Sequence, residues 1–221
     1  MPIEPRRPEG REVGRAAVKV FSRVAGLTGP AAAWRVRRIL GEALRPGVRI
    51  LDIGTGPGTI PLYLKRFCRD AVLTGLDVSW EMLREARGHS LRMGQGMGLV
   101  RGDAGALPVA SGVVDVVLSL FTLHHIDRPA IFLKEVDRVL RPGGRLLLID
   151  FRRDMPRWRF RLMDGLWQLV FCKSPARTGF RDSVRSAWLP VEIEGAIEES
   201  GLGRFRVAAS RTELWVVTEV R

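Results

Sequence analysis

The sequence predicts an α/β fold: a doubly wound, mostly parallel seven-stranded sheet, with N-terminal helices before it and a helical insertion near its end. Three observations predict it. Between residues 48 and 151, short apolar runs alternate with helical stretches, as in successive βαβ units. The runs are bounded by Gly and apolar on both faces, as buried parallel strands are. Two further β-rich runs at 204–210 and 213–220 look like a closing antiparallel pair.

The elements follow in order. Residues 13–25 and 30–45 read as two helices, the second ended by Arg45-Pro46-Gly47, and the residues before them, rich in Pro, Arg and Glu, read as loose. "VRILDIG" (48–54) is the first strand, and "TIPLYLKRFC" (59–68) a helix that tolerates Pro61 in its first turn. "AVLTGLD" (71–77) is the second strand. "SWEMLREAR" (79–87) is a helix with Ser79 at its N-cap and Met82 and Leu83 turned inward. "MGLVRGD" (97–103) and "VVDVVLSL" (113–120) are the third and fourth strands. "PAIFLKEVDRVL" (129–140) is a helix stopped by "RPGG" (141–144), and "RLLLIDF" (145–151) is the fifth strand. Beyond it, "RWRFRLMDGLWQLVFCK" (157–173) reads as a helix with a broad apolar face and an arginine-rich start, and "PVEIEGAIEESGL" (190–202) as a helix ended by Gly201. The chain thus divides into a basic helical arm, 1–47, and one domain, 48–221, with an insertion at about 152–189.

With 221 residues, 46% hydrophobic and 27% charged, the composition is that of an ordinary soluble domain with a sizeable core. Two distant cysteines, Cys68 and Cys172, and three histidines suggest neither a disulfide framework nor a zinc site. The N-terminus lacks the apolar stretch of a signal peptide, and no run is long enough to span a bilayer, so a cytoplasmic location is expected. The net charge of +12 is uneven. Residues 1–49 hold 11 basic and 4 acidic side chains, residues 152–185 hold 9 and 3, and residues 50–151 are nearly balanced. Such surfaces suit nucleic acid, anionic lipid or an acidic substrate, or are simply solvated arginine faces.

"LDIGTGPGT" (51–59) carries three glycines at alternate positions just after an acid. A turn of this kind lets backbone approach a ligand closely. Its spacing, Gly54-x-Gly56-x-Gly58, is not that of the dinucleotide fingerprint, and no Lys-Ser/Thr follows as in a triphosphate loop. Asp77, ending the second strand, is placed to accept from both hydroxyls of a ribose, or to sit at a helix N-terminus as a dipole partner. Asp52 would repel a pyrophosphate and suits a ligand carrying an ammonium and a sulfonium, which favours S-adenosylmethionine over a nicotinamide dinucleotide. Asp103, after the third strand, is placed to accept from an adenine amino group or to cap its own loop.

With these residues in hand, the chain resembles the class I S-adenosylmethionine-dependent methyltransferases. "LDIGTGPGT", "GLDVSWEML", "VRGDAGALPVASGVVDVVLSLFTLHHI" and "FLKEVDRVLRPGGRLLLID" match successive motifs of that family, most closely of its ubiquinone/menaquinone-biosynthesis type, over residues 48–151. The resemblance implies a Rossmann-like sheet of seven strands with a reversed last hairpin, and a helical lid insertion over the acceptor at about 152–189. It further implies that Gly54, Thr55, Gly56 and Gly58 lie against the methionine part of the cofactor, with Asp52 supporting that loop and the ammonium. Asp77 would hold the ribose, Val78 and Met82 flank the adenine, Asp103 and Ala104 meet its edge, and Ser119 and Leu120 lie beside the methyl group.

Methyl transfer is an in-line displacement that needs alignment above all, and a general base only where the acceptor must lose a proton. His124 and His125 follow the fourth strand, and His124 is the candidate base; both could equally shape the pocket. "SLFT" (119–122) differs from the Asn/Asp-Pro-Pro-aromatic motif of base N-methylating enzymes, and no acid cluster for a metal follows the fourth strand. Trp158, Phe160, Leu162, Leu166, Trp167 and Phe171 could line an apolar pocket or form core. Arg152, Arg153, Arg157, Arg159 and Arg161 could hold an acidic group, lie on a lipid surface or be solvated. The expected function is therefore methyl transfer to a small apolar, aromatic or quinone-like acceptor. An RNA or protein methyltransferase steered by the basic arm, and a cofactor-binding protein without turnover, are the alternatives, with a nicotinamide dehydrogenase more distant.

Overall fold

The computed structural model describes residues 5–7, 15–172 and 174–219, without the side chains of 15–17 and 175. The loose start expected from the sequence lies largely outside these residues. Seven strands form one sheet in the order β3-β2-β1-β4-β5-β7-β6. They are β1 (Arg49–Ile53), β2 (Val72–Asp77), β3 (Gly98–Arg101), β4 (Val114–Leu120), β5 (Leu140–Phe151), β6 (Phe205–Ala209) and β7 (Glu213–Thr218). The first five are parallel, and β7 runs antiparallel to both β5 and β6.

The helices are α1 (Arg15–Leu40), α2 (Thr59–Leu64), α3 (Trp80–Arg92), α4 (Pro129–Val139), α5 (Arg157–Val170), α6 (Gly179–Ser186) and α7 (Pro190–Ser200). They cover both faces of the sheet. On one face Ala33 and Val36 of α1 and Leu64 of α2 pack with Ile50, Leu73, Val116, Leu118, Leu147 and Ile149. On the other, Phe132, Leu133 and Val136 of α4 and Ile193 and Ile197 of α7 pack with Leu51, Ile53, Val117, Leu146 and Leu148. Alternate residues of one strand enter opposite clusters, so the central strands have no polar face, as their unbroken apolar runs required.

Two expectations are corrected. The two N-terminal helices are a single helix, α1, that continues through Pro30 and gives way to a short 3-10 turn, Gly41–Ala43. Pro30 removes one internal hydrogen bond, but tertiary packing outweighs that loss: Gly29 is buried so close to the Tyr63 ring of α2 that a Cβ would lie 2.9 Å from it. "RPGG" does not separate α4 from the fifth strand. It forms a bulge inside β5, where the pairing passes from Val114 with Leu140 to Val116 with Arg145. Helix ends differ by a few residues, α2 stopping at Leu64 rather than 68 and α3 running on to Arg92 rather than 87, while the caps agree. Ser79 caps α3 by accepting from the Met82 N–H at 3.3 Å, and Gly201 ends α7 with φ 72°. Between β5 and α7, α5 is followed by a 3-10 turn, Pro175–Thr178, and α6, a helix the sequence reading did not separate. Among the described residues, no helix is long and apolar enough to cross a membrane.

Candidate active site

The carboxyl ends of β1, β2, β4 and β5 converge on one cleft of about 1480 Å³, as a change in connection direction at β1/β4 leaves an opening there. Its floor is the turn after β1. The Gly54 and Thr55 N–H groups both donate to the Leu76 carbonyl, at 2.8 and 3.0 Å, which ties the turn to β2. Thr55 Oγ1 donates to Asp52 Oδ2 at 2.7 Å. Asp77 then clamps two segments at once: Oδ2 accepts from the Gly56 N–H at 2.8 Å and Oδ1 from the Ser79 N–H at 2.9 Å. The Val78 N–H also bonds this carboxylate, and three donors against about four lone-pair sites leave acceptor capacity for a ligand.

These acids are held in an unfavourable place for anions. Burial lifts the Asp52 carboxyl to about 7, against the Thr55 hydrogen bond that lowers it, and repulsion from Asp77 adds to the rise. Burial also raises Asp77, opposed by the N–H groups of Ser79, Gly56 and Val78. A cation beside the pair would relieve both effects, whereas a phosphate would aggravate them.

Gly54, Gly56 and Gly58 all have positive φ, at 70°, 52° and 69°, but their surroundings differ. A Cβ on Gly54 would lie 2.2 Å from Thr122 Oγ1, and one on Gly58 3.0 Å from the Ala86 Cβ of α3. At Gly56 the nearest atom is Met82 Sδ at 4.0 Å, so that Cβ would project into the cleft. Beyond β4, Phe121 has φ 55°, unique among the described non-glycine residues. An aromatic residue in the left-handed region is strained. Its N–H donates to the Ile149 carbonyl at 2.7 Å and its ring lies 4.8 Å from that of Phe151.

Leu123–His125 forms a 3-10 turn at the cleft wall. His124 is 3% exposed and Asp150, at the end of β5, 1%. Asp150 accepts twice from the same residue: Oδ2 from the His124 backbone N–H at 2.8 Å, and Oδ1 from the ring at Nδ1, also 2.8 Å away. This fixes both the turn and the imidazole plane.

The roof is made of helices. Phe21 and Val24 of α1, Met163, Leu166 and Trp167 of α5, and Phe180 of α6 line the cleft. Aromatic contacts run through it, with Phe151 edge-on to Phe180 at 5.3 Å and Phe21 6.2 Å from Trp167. Arg35 of α1 also faces the cleft. It is held by Glu213, with Nη1 donating to Oε1 at 2.8 Å, so its charge is already neutralised. A second tie joins roof and floor: His89 Nδ1 lies 2.7 Å from the Pro57 carbonyl, and its Nε2 lies 3.2 Å from Ser22 Oγ of α1.

Of the residues expected from the sequence, Asp52, Gly54, Thr55, Gly56, Asp77, Val78, Met82, Asp103, Ala104, Leu120 and His124 line this cleft. Gly58 and Ser119 do not. Gly58 serves the packing of the turn on α3. Strand alternation sends Ser119 to the side of Val117, where it is 0% exposed. Asp103 caps its own loop, accepting from the Gly105 N–H at 2.7 Å, while lying at the cleft rim. In the insertion, Phe160 packs with Met155, Phe180 and Val184 as core, and Trp158 and Leu162 face outward. Arg152 is paired with Asp154, and Arg153 with Glu192. Sequence reading missed Asp150, Phe121 and Thr122. Asp150 had a signal: an acid ending an apolar strand in "LLLIDF", as Asp52 and Asp77 do.

The model of the methyltransferase domain family matches residues 51–148. Over 127 residues the chain is 39% identical to a fatty-acid O-methyltransferase of Mycolicibacterium smegmatis, covering 56% of this chain and 45% of that protein. Over 184 residues it is 29% identical to a ubiquinone/menaquinone biosynthesis C-methyltransferase of Syntrophotalea carbinolica, covering 78% and 76%. The chain thus spans between about half and three quarters of the length of these curated relatives. A crystal structure of a SAM-dependent methyltransferase from Aquifex aeolicus superposes with a TM-score of 0.67 at 21% identity, covering 94% of this chain and 98% of that one. The structural likeness extends the same fold to the reversed hairpin, and the match of the family model spans the strands that build the acid-floored turn: residues 51–148 are a class I S-adenosylmethionine-dependent methyltransferase domain.

Proposed function

We propose that the cleft transfers a methyl group to a small apolar acceptor, aromatic or quinone-like. The observation that carries this reading is the continuity of two unlike surfaces in one cleft: an acidic, glycine-built floor and an apolar, aromatic roof. At about 1480 Å³ the cleft exceeds the roughly 300–1,000 Å³ that holds one ligand, leaving room for an acceptor beside a cofactor.

The floor residues fit S-adenosylmethionine, which supplies an electrophilic methyl on a sulfonium when bound. Asp52 and the Gly54–Gly56 backbone would hold its charged methionine end, Asp77 the ribose, and Val78, Met82, Asp103 and Ala104 the base. The raised carboxyls are the test of fit on this structure, because a cationic partner is what would return them to their ordinary range. The roof excludes water from the reacting atoms and aligns an apolar acceptor, effects worth roughly 7–11 kcal/mol in well-oriented systems.

Because the Asp150 carboxylate engages Nδ1, the neutral ring carries its proton there and its lone pair on Nε2. His124 Nε2 is therefore the atom that would take a proton from a hydroxyl or phenol acceptor. The neutralised Arg35 argues against a carboxylate being held by that residue. The relatives named for fatty acids and for ubiquinone and menaquinone biosynthesis support an apolar acceptor class.

The test is a screen for S-adenosylhomocysteine release with fatty acids, alkyl phenols and hydroquinones as acceptors. Turnover on one of these, lost in Asp77→Ala, is expected, with a slower rate and altered pH profile in His124→Gln. Cofactor binding by calorimetry with turnover only on RNA or protein would overturn the acceptor class. Binding without any turnover would favour a binding protein.

A further inference from the structure

We propose that the outward face of α5, with the adjoining face of α1, seats on an anionic lipid bilayer. On α5, Trp158, Leu162, Leu166, Leu169 and Val170 recur at near-helical spacing and are 56–75% exposed, and Leu27 of α1 is 84% exposed. A single exposed leucine is ordinary; a contiguous stripe of large apolar side chains beside another helix's exposed leucine is not. Leu27, Leu166 and Val170 also line the cleft, so the apolar face continues into the chamber.

The charges around this face select its occupant. Lys19, Arg23 and Leu27 share one face of α1 at four-residue spacing, and all three are exposed. Arg161 is exposed on α5, and the Arg159 guanidinium lies 4.8 Å from the centre of the Trp158 ring. Two acids near α5 are neutralised: Asp154 by Arg152 at 2.5 Å and Asp164 by Arg181 at 2.6 Å. An apolar stripe with Trp and Leu, flanked by cations, is the pattern of a helix lying in the plane of an anionic membrane interface. A second copy of this chain would bring the same cations face to face. The docking stands apart from the acceptor reading, since vesicle binding is measured with no acceptor present.

The experiment is co-flotation with vesicles of phosphatidylcholine alone and of phosphatidylcholine with phosphatidylglycerol. Wild type should float with the anionic vesicles, less at higher salt, and only weakly with the neutral ones. The double variant Leu162→Ser/Leu169→Ser, at positions outside the cleft lining, should lose at least tenfold of this binding. Lys19→Gln/Arg23→Gln/Arg161→Gln should lose as much on anionic vesicles and flatten the salt dependence. Both should keep S-adenosylmethionine affinity within twofold, which reports folding independently of lipid. Flotation of wild type with neither vesicle would overturn the proposal. So would undiminished binding by the leucine variant, which would mean charge adsorption alone. A solution dimer that this variant dissolves would assign the face to a second copy instead.

Discussion

The floor and the roof of the cleft are built by opposite means. On the floor, backbone geometry does the work: three glycines at positive φ, two buried carboxylates and paired N–H groups hold one another within 3.0 Å. On the roof, side chains of three helices present apolar surface with few fixed polar contacts. A floor of this kind tolerates almost no change of residue, because each position answers to a torsion or a hydrogen bond. A roof of this kind can be resculpted without disturbing what lies beneath it. On the proposed function, cofactor recognition and acceptor recognition would thereby be separable in one cleft.

The largest expected effects should fall on the glycines, and they can break the comparison at once. Gly54→Ala forces a Cβ into Thr122 as well as a left-handed φ, and should cost about 3 kcal/mol of stability or more and abolish cofactor binding. Gly56→Ala has the same torsional problem but meets no protein atom closer than 4.0 Å. It should cost only ~1–2 kcal/mol yet lose S-adenosylmethionine binding as fully, because its methyl projects into the cleft. Gly47→Ala, with φ 71° and open space around it, is the control that loses stability alone. Denaturant unfolding paired with calorimetric titration separates the three. Retained cofactor affinity in Gly56→Ala would remove that residue from the floor.

Next come the acids. Asp77→Asn leaves one acceptor oxygen where the Gly56 and Ser79 N–H groups need two, so its amide must face one of them. Binding should fall about a hundredfold, in line with the loss of charge-assisted hydrogen bonds worth roughly 1.5–3 kcal/mol. Asp52→Asn should do something less usual. The folded carboxyl titrates at about 7 against an ordinary 3.8, so the native state binds the proton more tightly than the unfolded chain. Stability from this group is complete below the unfolded value and is lost as pH rises through about 7. Removing the charge should therefore stabilise the free protein at pH 8 by roughly 2–4 kcal/mol, with the gain shrinking toward pH 4. The same variant should bind S-adenosylmethionine about tenfold more weakly at pH 8. For wild type, affinity should climb with pH up to about 7 and then level off. A destabilised Asp52→Asn at pH 8 would refute the electrostatic account of the floor.

The two halves also differ in how far the sequence reveals them. Strand ends are legible because a buried parallel strand is an apolar run that must stop, and the residues where it stops lie at the cleft. Asp52, Asp77 and Leu120 are located by that rule, and Asp150 obeys it too, although it was overlooked. Ser119 shows its limit: adjacent strand residues point to opposite sides, and the run alone does not say which one faces the ligand. The roof follows no such rule. Whether Phe160 or Trp167 turns inward depends on where α6 lies, and α6 had no periodic signal of its own. Similarly, nothing local to Pro30 announces that α1 will run through it, because the deciding contact is Gly29 against a ring 34 residues away.

The smallest effect offers the sharpest test of separability. Leu166 lines the cleft from α5 yet is 56% exposed, so truncating it removes little buried area. Leu166→Ala should change stability by about 0.5 kcal/mol or less, as surface substitutions do. It touches neither the carboxylate pair nor the glycine turn, so S-adenosylmethionine affinity should stay within twofold. If the roof recognises the acceptor, the variant should raise the KM for an apolar acceptor severalfold while leaving kcat near that of wild type, the mark of lost uniform binding. A changed kcat at constant KM would mean instead that the roof aligns the reacting atoms. A change in cofactor affinity would mean that floor and roof are coupled through α1, which is tied to the turn through Ser22, His89 and Pro57 and to α5 through Phe21 and Trp167.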